Sequence, residues 1–155
     1  MSGLTRSLQS LVIMFALATT AARADPGPGF SEAAVDPDLK RGQEAIQKKD
    51  WDGAISALAH VREREPKNAD VYNLLGFAER NRGNLAQAFE LYGTALKLDP
   101  KHRGAHEYIG EAYLIANDLA RAEEHLAALD KLCFFPCEEY SDLKKKIAAY
   151  KAKPK

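Results

Sequence analysis

The chain lacks an excess of charge of either sign: 22 Lys and Arg stand against 22 Asp and Glu in 155 residues. That balance argues against a nucleic-acid binder, which needs a basic excess on one face. A long hydrophobic run is missing too. The one apolar stretch near the N-terminus, Leu11 to Leu17, is too short to span a bilayer, and no cysteine follows it to accept a lipid. Catalytic signatures are absent: there is no glycine-rich phosphate loop after a strand, no Gly-x-Ser-x-Gly and no His-Glu-x-x-His. Paired acids such as Glu123-Glu124 are sequence neighbours and point in different directions on a helix. The expectation is a protein that is not an enzyme and carries no cofactor. Cysteine is scarce, with only Cys133 and Cys137.

What is present begins with an address. Arg6 precedes the apolar run, and small residues follow up to Ala22-Arg23-Ala24, the layout of a cleavable export signal. Cleavage after Ala24 would leave 131 residues, 20 basic and 22 acidic, in a periplasmic or secreted setting. Residues 25–34, rich in Pro and Gly, read as a flexible tether.

The remaining chain repeats itself every 34 residues. Gly42, Gly76 and Gly110 share that interval, as do Ala54, Ala88 and Ala122, then Leu58, Tyr92 and Leu126, then Val61, Ala95 and Leu129. Pro66 and Pro100 keep the phase; the third copy has Phe134 there, with Pro136 two residues late. Within a copy, apolar residues fall three and four apart in two runs, which predicts a pair of helices packed along their small residues. Gly83 suits the end of the first helix in the middle copy. Asn84 suits the cap of the second, with Gln87 as its capping-box partner. Asp36-Pro37 opens the first copy as N-cap and first-turn proline.

The middle copy, with Tyr72, Leu75-Gly76, Gly83, Ala88, Tyr92, Ala95-Leu96 and Pro100, resembles the tetratricopeptide repeat family. The third copy fits through Ile109-Gly110, Tyr113, Ala122 and Leu129, and the first through Gly42, Ala45, Ala54, Leu58 and Pro66. Asp38 and Lys49 depart from the pattern in the first copy, and Glu79 departs at the family's inner tyrosine. The resemblance implies an all-α, right-handed solenoid of three hairpins (35–68, 69–102, 103–136). Residues 137–155 come after them as a capping helix and basic tail, with Tyr140, Leu143, Ile147 and Tyr150 on one face.

The resemblance also implies a concave groove lined by the first helix of each hairpin. At matching positions stand Leu39, Gln43 and Ile46, then Asn73, Phe77 and Arg80, then Glu107, Glu111 and Leu114. Asn73, Phe77, Arg80, Glu107 and Glu111 are the candidates for holding a protein or peptide partner in the cell envelope. Phe77 fits either a stacking role in that groove or packing against the next repeat.

Two features carry chemistry of their own. His102 and His106 are four apart, a metal-clamping interval, but His102 falls in the turn before the helix and no acidic residue completes a site, so they read as surface or packing histidines with no metal. Cys133 and Cys137 bracket Phe-Phe-Pro. An exported chain favours a disulfide there, as a staple between the last hairpin and its cap. The alternative is a thiol-redox or metal-handling protein acting through the pair. The spacing differs from Cys-x-x-Cys, and Glu138 rather than His follows Cys137, which argues against covalent haem.

Overall fold

A computed structural model describes residues 36–135 and 137–153, which form seven α-helices and no strand. The expected export signal and tether lie outside the described residues. The helices are α1 (Pro37–Gln47), α2 (Trp51–Arg64), α3 (Ala69–Arg82), α4 (Leu85–Leu98), α5 (Arg103–Ile115), α6 (Leu119–Leu132) and α7 (Glu138–Lys151). They pair as α1–α2, α3–α4 and α5–α6, each pair stacks on the next, and α7 packs on α5 and α6.

One turn is built three times inside the hairpins. Lys49, Gly83 and Asn117 each have positive φ, at +58°, +98° and +60°. The amides that come next, of Asp50, Asn84 and Asp118, donate to the carbonyls of Ala45, Glu79 and Tyr113, closing the helix end with a left-handed residue. Only the middle copy places a glycine at this position, so Lys49 holds a conformation that costs an L-residue energy. Asp36, Asp50, Asn68, His102 and Asp118 cap their helices through side-chain acceptors. Asn84 does not: its side chain makes no cap bond, and Gln87 instead turns to Glu90, 3.3 Å away. The capping box expected there is replaced by the left-handed turn at Gly83.

The core keeps the repeat. Leu58, Val61, Val71, Leu75 and Leu91 form one cluster, Ala88, Tyr92, Ile109 and Ala112 a second, and Ala122, Leu129, Leu143 and Ile147 a third. Each cluster draws on consecutive helices only, so every hairpin is stabilised by its neighbours. Gly42 and Gly76 admit Leu58 and Tyr92 from their own hairpins: a Cβ at either glycine would meet that side chain at 2.6 and 2.7 Å.

The turn after each hairpin sets the phase of the next helix. Residues 65–68 and 99–102 each bridge two helices with four residues, whereas 133–137 use five. Cys133 ends α6, Cys137 caps α7, and a disulfide joins them with their Cα atoms 5.8 Å apart. The extra residue moves α7 to a 35-residue offset. On that count Asp142 stands where Glu107 and Asn73 stand, Lys146 where Glu111 and Phe77 stand, and Ala149 where Leu114 and Arg80 stand. Helix α7 is therefore both a cap, through Leu143 and Ile147, and the first helix of a fourth half-repeat.

Candidate functional site

Three rows of side chains run across the first helices at spacings of four and three, which keeps them on one face. The first row is Leu39, Asn73, Glu107 and Asp142; the second is Gln43, Phe77, Glu111 and Lys146; the third is Ile46, Arg80, Leu114 and Ala149. Two cavities open onto this face. One, of about 420 Å³, is lined by Arg80, Glu111, Leu114, Lys146, Ala149 and Tyr150 among others. The other, of about 260 Å³, is lined by Asn73, Gly104, Glu107, Tyr108, Glu138, Glu139 and Asp142.

Four of the five candidates from the sequence line these cavities: Arg80 and Glu111 the larger, Asn73 and Glu107 the smaller. Phe77 lines neither. Its ring packs between Trp51, at 6.1 Å, and Tyr108, at 5.0 Å, with the Arg80 guanidinium over it at 5.3 Å. Packing therefore claims Phe77, because Trp51 reaches it from α2, a contact that no spacing within α3 reveals.

Arg80 and Glu111 are committed to each other. Arg80 pairs with the Glu111 carboxylate and donates to the Tyr108 carbonyl at 3.3 Å, and Lys146 closes on the second Glu111 oxygen. The side chains of Arg80 and Glu111 are both nearly buried. The triad thus ties α3, α5 and α7 together, and removing Glu111 would leave the buried Arg80 guanidinium without a carboxylate, at a cost of about 3–5 kcal/mol.

Asn73 and Glu107 are different. Both are 7 % exposed, and Asn73 Oδ1 has no hydrogen-bond partner among the described residues. Burial first, and then the Glu111 carboxylate, push Glu107 up to about 7, while Lys146 pulls the other way and Asp142 and Glu139 add to the rise. The face is polar in two senses: carboxylates gather at the end near the starts of α5 and α7, and Arg80, Lys146 and Lys153 lie toward the other end.

The histidines do not form the clamp their spacing suggests. His102 caps α5, its Nδ1 accepting from the Ala105 amide at 3.2 Å, with its Nε2 3.0 Å from Asp70. His106 turns to α6 instead, its Nδ1 2.9 Å from that of His125. Because His106 Nε2 donates to the Pro100 carbonyl at 3.1 Å, its Nδ1 is left to accept from His125. Burial, reinforced by His106, lowers His125 to about 4. Among the described residues no three His, Cys, Asp or Glu side chains are grouped to hold a metal ion. Asp142, Lys146 and Tyr108 were missed by sequence reasoning. The length of the 133–137 turn was the signal that could have found the first two.

Stacked helical hairpins with a concave polar face define the chain as a helical-repeat protein. Two tetratricopeptide repeat profiles match it, over residues 39–93 and 79–147. The chain belongs to the tetratricopeptide repeat family. No curated protein matches it in sequence. Among solved structures it is similar to the TPR2B domain of yeast Sti1 in its complex with pHsp70: 22 % identity, TM-score 0.66, covering 72 % of this chain and 94 % of that one. It is also similar to PcrH in complex with the chaperone-binding region of PopD, with 20 % identity, a TM-score of 0.68, and coverage of 80 % and 96 %. The Yersinia enterocolitica translocator chaperone SycD is a third, with 18 % identity, a TM-score of 0.66, and coverage of 74 % and 81 %. At these identities the likeness is one of fold.

Proposed function

We propose that the protein is a non-enzymatic interaction module that holds an extended peptide or protein segment in its concave groove, as an adaptor or assembly factor of the cell envelope. The observation that carries this reading is the groove itself: three rows of side chains across α1, α3, α5 and α7, opening into cavities of about 420 and 260 Å³. Cavities of this size accept side chains, and the polar groups around them supply orientation. Similar folds in complexes, of Sti1 with pHsp70 and of PcrH with the chaperone-binding region of PopD, support the same reading. Export rests on the N-terminal layout of Arg6, the apolar run and Ala22-Arg23-Ala24. The Cys133–Cys137 bond at the α6–α7 corner fits the oxidising compartment that export implies.

The test is selection of displayed random dodecapeptides on the purified protein, with titration of the winners. Ala149→Trp is the control, since Ala149 is exposed and its replacement fills the larger cavity without touching the core. Selected peptides should bind the native protein and lose affinity for the tryptophan variant. Equal binding by both would place the peptides elsewhere and sink the groove reading. Export is checked by the mass of the protein from its source, expected to begin at Asp25.

A further inference from the structure

The smaller cavity has a chemistry of its own. Four of its lining side chains, Glu107, Glu138, Glu139 and Asp142, are carboxylates, and no basic side chain lines it. Asn73 brings a buried Oδ1 with no partner; Glu107, equally buried, brings a carboxylate held in an unfavourable field; Glu138, Glu139 and Asp142 come from the first turns of α7. Arg103 stands 3.6 Å from Glu139 at the rim, with its own side chain half exposed. Helix-end electrostatics account for Glu138 and Glu139, since acidic residues suit a first turn. They do not account for Asn73 or Glu107, which sit inside the stack, where an unsatisfied acceptor costs energy and a lone carboxylate costs more.

We propose that the pocket framed by Asn73, Glu107, Asp142 and the two glutamates of α7 is a cation subsite of the groove, taking the side chain of a basic residue in the bound segment. This rests on the groove reading above and deepens it. A guanidinium or an ammonium group carries donors only, which matches a lining of acceptors drawn from three helices. A bare metal ion is the poorer fit, because no three carboxylates are grouped for one among the described residues. Entry of the cation would give the Glu107 carboxylate a partner and relieve the repulsion between it and its neighbours. Those neighbours are Glu111 on α5, and Glu139, Asp142 and Lys146 on α7, with neutral Asn73 on α3 and the His102–Asp70 pair at the start of α5. Binding should therefore strengthen as pH rises through about 7, where Glu107 ionises, and Glu107→Gln should flatten that rise.

The probe is an acetylated, amidated Ala-Ala-Arg-Ala-Ala peptide titrated into the isotope-labelled full chain and monitored by NMR. Two companions carry lysine, or citrulline as the uncharged isostere of arginine, at the central position. The arginine peptide should shift the side-chain amide of Asn73 and the backbone amides of Gly104 and Tyr108, and the citrulline peptide should not. Asp142→Asn, at an exposed position, and Glu107→Gln, isosteric and relieving a buried charge, should each weaken binding about tenfold, the value of one charge-assisted hydrogen bond. A lysine peptide shifting the same signals assigns the site to cations in general; one that does not assigns it to guanidinium. Absence of shifts at Asn73 and Gly104, an equal effect of citrulline, or unchanged affinity in both variants would overturn the subsite. Dodecapeptides that need the groove yet show no enrichment in basic residues would leave the groove reading intact and remove this one. Arginine-peptide shifts without any groove-dependent dodecapeptide would do the reverse.

Discussion

Leu143 of α7 fills the notch at Gly110: a Cβ at that glycine would stand 2.7 Å from Leu143 Cδ2. In the first two hairpins the equivalent notches, at Gly42 and Gly76, are filled from within by Leu58 and Tyr92. The last hairpin thus relies on the cap for contacts its predecessors make internally. Gly110→Ala should cost about 1–3 kcal/mol through overpacking, and Leu143→Ala about 2–5 kcal/mol through the cavity it leaves. Urea denaturation measures both. A cost below the error for Leu143→Ala would mean that the cap is dispensable.

Glu107 makes the fold prefer acid. Its folded value is raised, to about 7, so its contribution is fully present below the ordinary glutamate range and is lost as pH rises through 7. Glu107→Gln should be more stable than the native chain at pH 8, by about 2 kcal/mol, with the difference vanishing near pH 4. Denaturation midpoints of the two proteins across that range are the check.

His125 acts in the opposite sense. Its folded value is lowered to about 4, so its contribution is present above the ordinary histidine value and is lost as pH falls from 6.5 toward 4. Charging it adds a proton at Nε2 and leaves the Nδ1 donor to His106 in place, so the cost is that of a buried charge beside a second imidazole. His125→Gln should remove about 2 kcal/mol of acid sensitivity over that interval. Histidine ring signals in NMR should show His125 still neutral at pH 5.5. If they show it charged there, the assignment fails.

Lys49 holds the left-handed turn position that Gly83 fills in the next hairpin, with φ of +58°. Lys49→Gly should stabilise the protein by about 0.5–1 kcal/mol, since the strain relieved exceeds the added chain entropy. Gly83→Ala should destabilise by a similar amount. Thermal unfolding of the two variants tests both signs at once.

The Cys133–Cys137 bond closes a short loop at the α6–α7 corner. Its removal by paired Ser substitutions should cost about 2 kcal/mol by the chain-entropy account. Alkylation and mass measurement of protein from its native setting should find the pair oxidised. A persistent thiol fraction would favour chemistry at these cysteines over stapling.

The repeat, the helix pairs and the small-residue notches were legible because periodic burial writes itself into a single chain. Gly42, Gly76 and Gly110 repeat because each admits a close side chain, from its own hairpin at the first two and from the cap at the third, and Asp36-Pro37 reads as a helix start because its capping bonds are local. Local chemistry misled at Asn84, where a left-handed turn does what a side-chain cap was expected to do. The groove was legible in part. Asn73 and Glu107 line the smaller cavity, whereas Phe77 went to an aromatic cluster and Arg80 to an ion pair, since both meet partners 26 to 31 residues away.

By itself, then, the sequence determined three helical hairpins at a period of 34, their small-residue contacts and a disulfide-length turn at their end. Tertiary structure alone decided that α7 is a fourth first helix as well as a cap, because one residue added between Cys133 and Cys137 rotates Asp142 and Lys146 into the groove rows. It also decided which polar groups are free. Arg80 and Glu111 neutralise each other across a gap that only stacking closes, while Asn73 and Glu107 are buried without such a pairing.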